Sequence, residues 1–283
     1  MKTKALVVVV LVLLVGAASM AVAQAPAVQY NTWSNGTPIP IAVDRPGVAV
    51  LNHQIYLVGG GNGSGTLANT QIYNPATNTW SAGGSLKIAT GGGCAAVVKN
   101  VLYFIGGNTG GQGYTNAVWA YNPKKQTWTP KASMPTPRGT VVCVVETGII
   151  YVIGGYNGQF LDTLESYNPA TNSWTPDPPD ASMPSPESDL MGGGLVKKTI
   201  IVVNGSDGEP DGHNYGYSAA ANTWQTLPSD PTLRQGTCVV AATRGRNHPT
   251  LPPDAGPGDR RSGSPTLTPP MRYNRVPASA LAS

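Results

Sequence analysis

Aromatic and acidic side chains set in glycine- and asparagine-rich stretches are the residues of this chain best suited to chemistry, and that chemistry is recognition. Tyr114, Tyr156, Phe160 and Tyr215 each occupy such a stretch. An aromatic ring offers a broad apolar face, and tyrosine adds a hydroxyl that donates or accepts a hydrogen bond. Surfaces of this mixture suit glycans or peptides. Asp207, Glu209 and Asp211 belong to the densest acidic stretch, DGEPDGH at 207–213. Carboxylates are the hard oxygen donors that calcium takes, but the stretch lacks the ligand count and the distal bidentate glutamate of an EF-hand loop. A solvated loop is expected there, with its acids available to a binding partner.

A catalytic reading needs convergent groups, and few are on offer. Arg45, Arg138 and Glu146 are the only plausible contributors, and pairing at strand ends accounts for them equally well. The histidines are scattered: His53 in the turn 52–54, His213 in a polar loop, and His248 near the C-terminus. The glycine-rich stretches 59–65 and 106–113 resemble phosphate cradles in composition alone, since neither leads into a helix or a Gly-Lys-Ser/Thr run. No serine, histidine and aspartate can be placed together from one sequence. The sequence therefore identifies no catalytic residue, no metal site and no cofactor, and binding is the expected activity.

The elements that must carry these side chains are repeats. An apolar strand ending in a glycine doublet, then a tyrosine, then a tryptophan seven residues after it, recurs four times. IYLVGG ends at Gly60 with Tyr73 and Trp80, LYFIGG at Gly107 with Tyr121 and Trp128, and IYVIGG at Gly155 with Tyr167 and Trp174. The fourth copy, IIVVNG, ends at Gly205 with Tyr217 and Trp224 and carries Asn204 in place of the first glycine. Counted from Trp33, the repeat tryptophans Trp80, Trp128, Trp174 and Trp224 follow at intervals of 47, 48, 46 and 50 residues. A period near fifty with this content marks a propeller array. In the third unit, 140–145 and 149–153 read as strands about a turn at 146–148, 161–167 as the third strand, and 173–175 as the start of the fourth after the NPATN turn. The loops 61–69, 108–116, 156–162 and 206–216 then fall between second and third strands, and the proline-rich stretches 129–137 and 175–188 join units.

The glycine doublet, the spaced tyrosine and tryptophan, and the YNPATNTW strand resemble the kelch repeat over about residues 28–243. An arginine that often opens the first strand of a kelch unit is matched by Arg45, Arg138 and Arg234, where the second and fourth units have Thr90-Gly91 and Asp189-Leu190. The resemblance implies an all-β fold, a kelch-type β-propeller with four recognisable four-stranded blades plus partial flanking strands. Kelch rings commonly hold more blades than that, so this one is expected to be incomplete. The implied partner is a protein or a surface glycan. The competing expectation is a carbohydrate-active kelch enzyme similar to a sialic acid epimerase or galactose oxidase. The paired histidines and tyrosines and the crosslinked cysteine of such a copper oxidase are not assembled in this sequence.

Composition bounds the rest. Lys2 and Lys4, the apolar run 5–15 and Ala21-Val22-Ala23 read as a secretory signal peptide over 1–23. The propeller is assigned to 24–243, in units of about 34–80, 81–128, 129–174 and 175–224 with a partial unit at 225–243. Residues 244–283 are rich in proline and hold six arginines, against three in all that precedes. So abrupt a shift reads as a reading-frame error or truncation of a longer kelch gene, or else as a disordered basic tail. The formal charge of +4 lies at the two ends, because 24–243 carry 10 Lys plus Arg against 12 Asp plus Glu. No nucleic-acid partner is expected. After signal cleavage no segment is long and apolar enough to span a bilayer, and a secreted, periplasmic or extracellular product is expected. Cys94, Cys143 and Cys238 each fall in an early strand of a repeat and are expected to be buried free thiols, with separate blades holding their Cβ atoms too far apart for a disulfide.

Overall fold

The computed structural model of the chain describes residues 35–175, 182–186, 192–203, 205–206 and 212–233. Asp207, Glu209, Asp211, Arg234, Cys238, His248, the segment 1–23 and the tail 244–283 lie outside them. The described residues form strands, turns and loops with no helix among them.

Four four-stranded antiparallel sheets stand where the repeats predict them. Blade 1 contains β1 (Gly47–Leu51) and β2 (Gln54–Val58), then a small hairpin of β3 (Gly61–Asn62) and β4 (Gly65–Thr66), then β5 (Thr70–Asn74) and β6 (Thr79–Ala82). Blade 2 is β7 (Cys94–Val98), β8 (Val101–Ile105), β9 (Val118–Asn122) and β10 (Thr127–Pro130). Blade 3 is β11 (Val142–Glu146), β12 (Ile149–Ile153), β13 (Leu164–Asn168) and β14 (Ser173–Thr175). Blade 4 is β15 (Gly192–Val196), β16 (Thr199–Val203), β17 (Asn214–Ser218) and β18 (Thr223–Leu227). The third strand of blade 3 thus starts later than its sequence suggests, at Leu164, because 161–163 turn aside to support the loop before it.

The outer half of each blade is held by one recurring device. Tyrosine and tryptophan are cross-strand partners, Tyr73 with Trp80, Tyr121 with Trp128, Tyr167 with Trp174 and Tyr217 with Trp224, their ring centroids 4.9, 4.8, 5.1 and 4.9 Å apart. The tyrosine hydroxyl donates to the turn asparagine in three blades, at 2.8 Å from Tyr73 to Asn78 and 2.7 Å from Tyr167 to Asn172 and from Tyr217 to Asn222. Those asparagines close the NPATN-type turn with φ of 53°, 52° and 53°, a left-handed conformation that asparagine tolerates. The indole N–H reaches across to the incoming connector, donating to the carbonyls of Thr37, Gly84 and Ala132 in blades 1 to 3.

Successive strand residues point to opposite faces, so each blade has one face for the blade before it and one for the blade after. In blade 2, Leu102, Phe104, Trp119, Tyr121 and Trp128 pack on Leu51, Tyr56, Val58 and Ile72 of blade 1. On its other face, Cys94, Ala96, Val98, Tyr103 and Ile105 pack on Ile150, Val152 and Tyr167 of blade 3. A third cluster joins Val142, Val144, Ile153 and Leu164 of blade 3 to Ile200, Val202, Tyr215 and Tyr217 of blade 4. The core is therefore three interfaces in series, and the ring is open between blade 4 and blade 1 among the described residues.

That stacking corrects the expectation of free thiols. Cys94 and Cys143 form a disulfide, with Cα atoms 5.6 Å apart. Blades are separate sheets, but their inner strands converge, and alternation turns Cys94 of blade 2 toward Cys143 of blade 3. The counterpart pair between blades 1 and 2 is Gly47 with Ala95, and between blades 3 and 4 it is Val142 with Gly193. Inner strands approach so closely that a Cβ on Gly47 would lie 2.8 Å from the Phe104 ring.

Candidate functional site

Each inner strand is preceded by a short segment whose backbone is pinned on both sides. Asp44, Gly91 and Gly139 exchange backbone hydrogen bonds with Gly61, Asn108 and Tyr156, the residues that follow the glycine doublets. The next residues, Arg45, Gly92 and Thr140, have φ of 46°, 67° and 51° and are linked in series. The Gly92 N–H donates to the Arg45 carbonyl at 3.0 Å and the Thr140 N–H to the Gly92 carbonyl at 2.7 Å. The doublets join the same frame, since the N–H groups of Gly60 and Gly107 each donate at 2.9 Å to the next blade, to the carbonyls of Thr90 and Arg138. A Cβ on Gly106 would sit 2.6 Å from that Arg138 oxygen, at φ +65°, so only glycine fits.

Above this frame the second-to-third strand loops of blades 1 to 3 enclose a cleft of about 670 Å³. Its walls carry Asp44, Arg45, Asn62, Thr66, Asn108, Tyr114, Thr140 and Tyr156, interspersed with glycines. Tyr114 and Tyr156 meet edge to face with centroids 5.8 Å apart, and Phe160 packs behind Tyr156 at 5.2 Å. Asp44 and Arg45 form an ion pair, Oδ2 to Nε 3.1 Å, with side chains 70% and 51% exposed. Their backbones are rigid while their charged ends reach solvent.

The sequence candidates therefore divide. Tyr114, Tyr156 and Phe160 come together from two loops, and the first two line the cleft. Tyr215 is not a loop residue: it lies within β17, buried between blades 3 and 4 with Trp224 and His213 against its ring. The loop 206–216 ends earlier than expected because β17 begins at Asn214.

The arginines need a second correction. Arg45 is the counterpart of Gly92 and Thr140 and lines the cleft, whereas Arg138 corresponds to Thr90 and Val43, two residues earlier in the unit. Arg138 is fully buried, paired with Glu165 and donating to the Val152 carbonyl at 3.1 Å, while Thr136 donates to Glu165 at 2.7 Å. It is a structural clasp. Glu146 ends β11 at the far end of the inner strand, roughly 20 Å from Thr140 at ~3.3 Å per residue, and is buried. His53 occupies an exposed left-handed turn with Asn52. Asp44 and Thr140 escaped sequence reasoning, whereas Asn62, Thr66 and Asn108 fall within its loops 61–69 and 108–116 without having been singled out. The signal for Asp44 and Thr140 is position alone, since each lies just before an inner strand.

Four-stranded blades packed face to face through inner strands, with the doublets of blades 1 and 2 each bonded to the next blade and a loop cleft at one end, define a kelch-type β-propeller array. A family model described as the KLHDC2/KLHL20/DRC7 Kelch-repeats domain matches residues 27–205, and the chain belongs to this kelch-repeat family. Among solved structures, that of YjhT superposes with a TM-score of 0.63 at 14% sequence identity, over 73% of this chain and 77% of that one. The likeness is one of fold. No curated protein matches the chain.

Proposed function

We propose that the chain is an exported kelch-type binding module that holds a protein or surface-carbohydrate ligand in the cleft of blades 1 to 3. The convergence of Tyr114 and Tyr156 on a cleft with a hydrogen-bonded floor carries this reading. Variable loops on a rigid frame are the usual seat of specificity in such folds. By sequence position Asp207, Glu209 and Asp211 would extend this surface on the fourth unit. Catalysis has less support, because of Arg45, Arg138 and Glu146 only Arg45 lines the cleft. Acid–base chemistry needs a group poised on the substrate, and the one carboxylate among the described cleft residues, Asp44, is engaged with Arg45. Export is supported by the signal-peptide pattern over 1–23 and by the Cys94–Cys143 bridge, a kind that persists in oxidising compartments.

An array of mixed peptides and oligosaccharides, probed with the intact protein and with the Tyr114→Ala/Tyr156→Ala double variant, tests the reading. Ligands that the wild type holds and the double variant loses support it. Ligands held equally by both place recognition away from the cleft and overturn it.

A further inference from the structure

Resting on that reading, we infer that the ligand of the cleft is a neutral sugar, recognised through adjacent hydroxyls by the Asp44–Arg45 pair and through its C–H face by Tyr114 or Tyr156. Among the described residues no aliphatic side chain lines the cleft, which is built of glycine, asparagine, threonine, tyrosine and the one ion pair. A peptide is held chiefly by a few side chains anchored in desolvated apolar pockets, and nothing here forms such a pocket.

Among the described residues of the walls Asp44 and Arg45 carry the only formal charges, and they lie 3.1 Å apart, so their fields largely cancel. An anionic ligand drawn to Arg45 would meet the Asp44 carboxylate beside it, and a cation drawn to Asp44 would meet the guanidinium. What the pair does present is an acceptor-only group next to a donor-only group. Two hydroxyls on neighbouring ring carbons are the complement, one donating to the carboxylate and the other accepting from the guanidinium. Both side chains are more than half exposed, so they are free to turn toward a ligand while Gly61 and Gly92 hold their backbones.

Tyr114 and Tyr156 are nearly perpendicular, with an interplanar angle of 78°. One ring can lie flat under a pyranose while the other closes the side of the cleft. The amides of Asn62 and Asn108 and the hydroxyls of Thr66 and Thr140 supply further donors and acceptors without adding charge.

Isothermal titration of the full chain tests this. The neutral probes are oligomers of glucose, mannose, galactose and N-acetylglucosamine, the charged probes sialyllactose and a polygalacturonate oligomer, and the third set pooled random heptapeptides. At least one neutral oligomer should bind, and Asp44→Asn, Arg45→Gln and Tyr114→Ala should each weaken it roughly tenfold, equivalent to about 1.4 kcal/mol. Because Asp44 and Arg45 are exposed, their variants should keep the wild-type melting temperature. Asp44→Asn alone should improve binding of the charged sugars by unmasking Arg45. Failure of every neutral oligomer, or preference of the wild type for a charged one, overturns the inference. Heptapeptide binding that depends on Tyr114 overturns it too but leaves the binding reading standing, whereas absence of any Tyr114-dependent ligand defeats both.

Discussion

Side chains that look like chemistry in this sequence are, at the scale of the single residue, sorted by burial. Arg138 and Glu165 are sealed between strands with their charges matched, and removing one partner would strand the other in a medium that solvates it poorly. Arg138→Ala is expected to cost about 3–5 kcal/mol in a urea melt, with cleft binding changed only as far as the fold is lost. Tyr167 is also fully buried, and burial first, then the nearby Tyr103 hydroxyl, pushes its pKa from 10.0 up to about 12. Below pH 10 both folded and unfolded chains keep the phenol neutral, so the packing is intact. Between pH 10 and 12 the unfolded chain releases a proton that the folded chain retains, and stability falls as pH rises. Tyr56, Tyr103, Tyr121 and Tyr151 are raised by burial as well and steepen the loss. Unfolding followed against pH should show a flat baseline to pH 10 and a cooperative decline above it, and Tyr167→Phe should lessen the slope.

At the scale of the strand, the blade is less a free-standing sheet than one leaf of a stack. Its outer strands are tied within the blade by the Tyr–Trp pair, and its inner strands are tied between blades by glycine doublets and by small residues in close approach. The Cys94–Cys143 bridge replaces one such contact with a covalent bond between β7 and β11, 49 residues apart in the chain. Closing a loop of that length removes conformational freedom from the unfolded chain, an effect of about 2–4 kcal/mol. Reduction should therefore lower the unfolding free energy extracted from urea melts by that amount, and Cys94→Ala/Cys143→Ala should reproduce the reduced protein. Alkylation of the unreduced, denatured protein should leave both cysteines unmodified; modification of either would show that the strands do not meet as described.

For the whole molecule the telling feature is the face of blade 1 that no other described blade covers. Val48 and Val50 are 51% and 62% exposed, although their counterparts Ala95 and Val97 in blade 2 are packed against blade 1. Identical positions in the repeat thus have opposite energetic weight. Val50→Lys is expected to leave stability within about 0.5 kcal/mol of wild type, as exposed substitutions do. Val97→Lys would set a charge in the half-buried seam between blades and should cost about 1–3 kcal/mol. Equal losses in paired urea melts would mean that the first blade is covered after all. An exposed apolar sheet face also favours association, so Val48→Lys/Val50→Lys should lower light scattering at high concentration.

The blades were legible in the sequence because their determinants are local. The glycine doublet, the Tyr-to-Trp spacing and the NPATN turn each act within a few residues, and the strands fall where those signals place them. Two loop tyrosines and Phe160 were also visible, since aromatic residues among glycines and asparagines stand out without knowledge of their neighbours. Contacts between repeats were not legible. Whether Cys94 finds Cys143, whether Tyr215 faces solvent or Trp224, and which arginine reaches the cleft depend on the side of a strand that each residue takes and on what the adjoining blade brings to it. A shift of two residues separates Arg45, at a left-handed turn beside the cleft, from the position of Arg138 in the core. Short-range sterics and hydrogen bonding specify the blade; only the stacking of blades, through packing between residues nearly fifty positions apart, decides which side chains are core and which form the cleft.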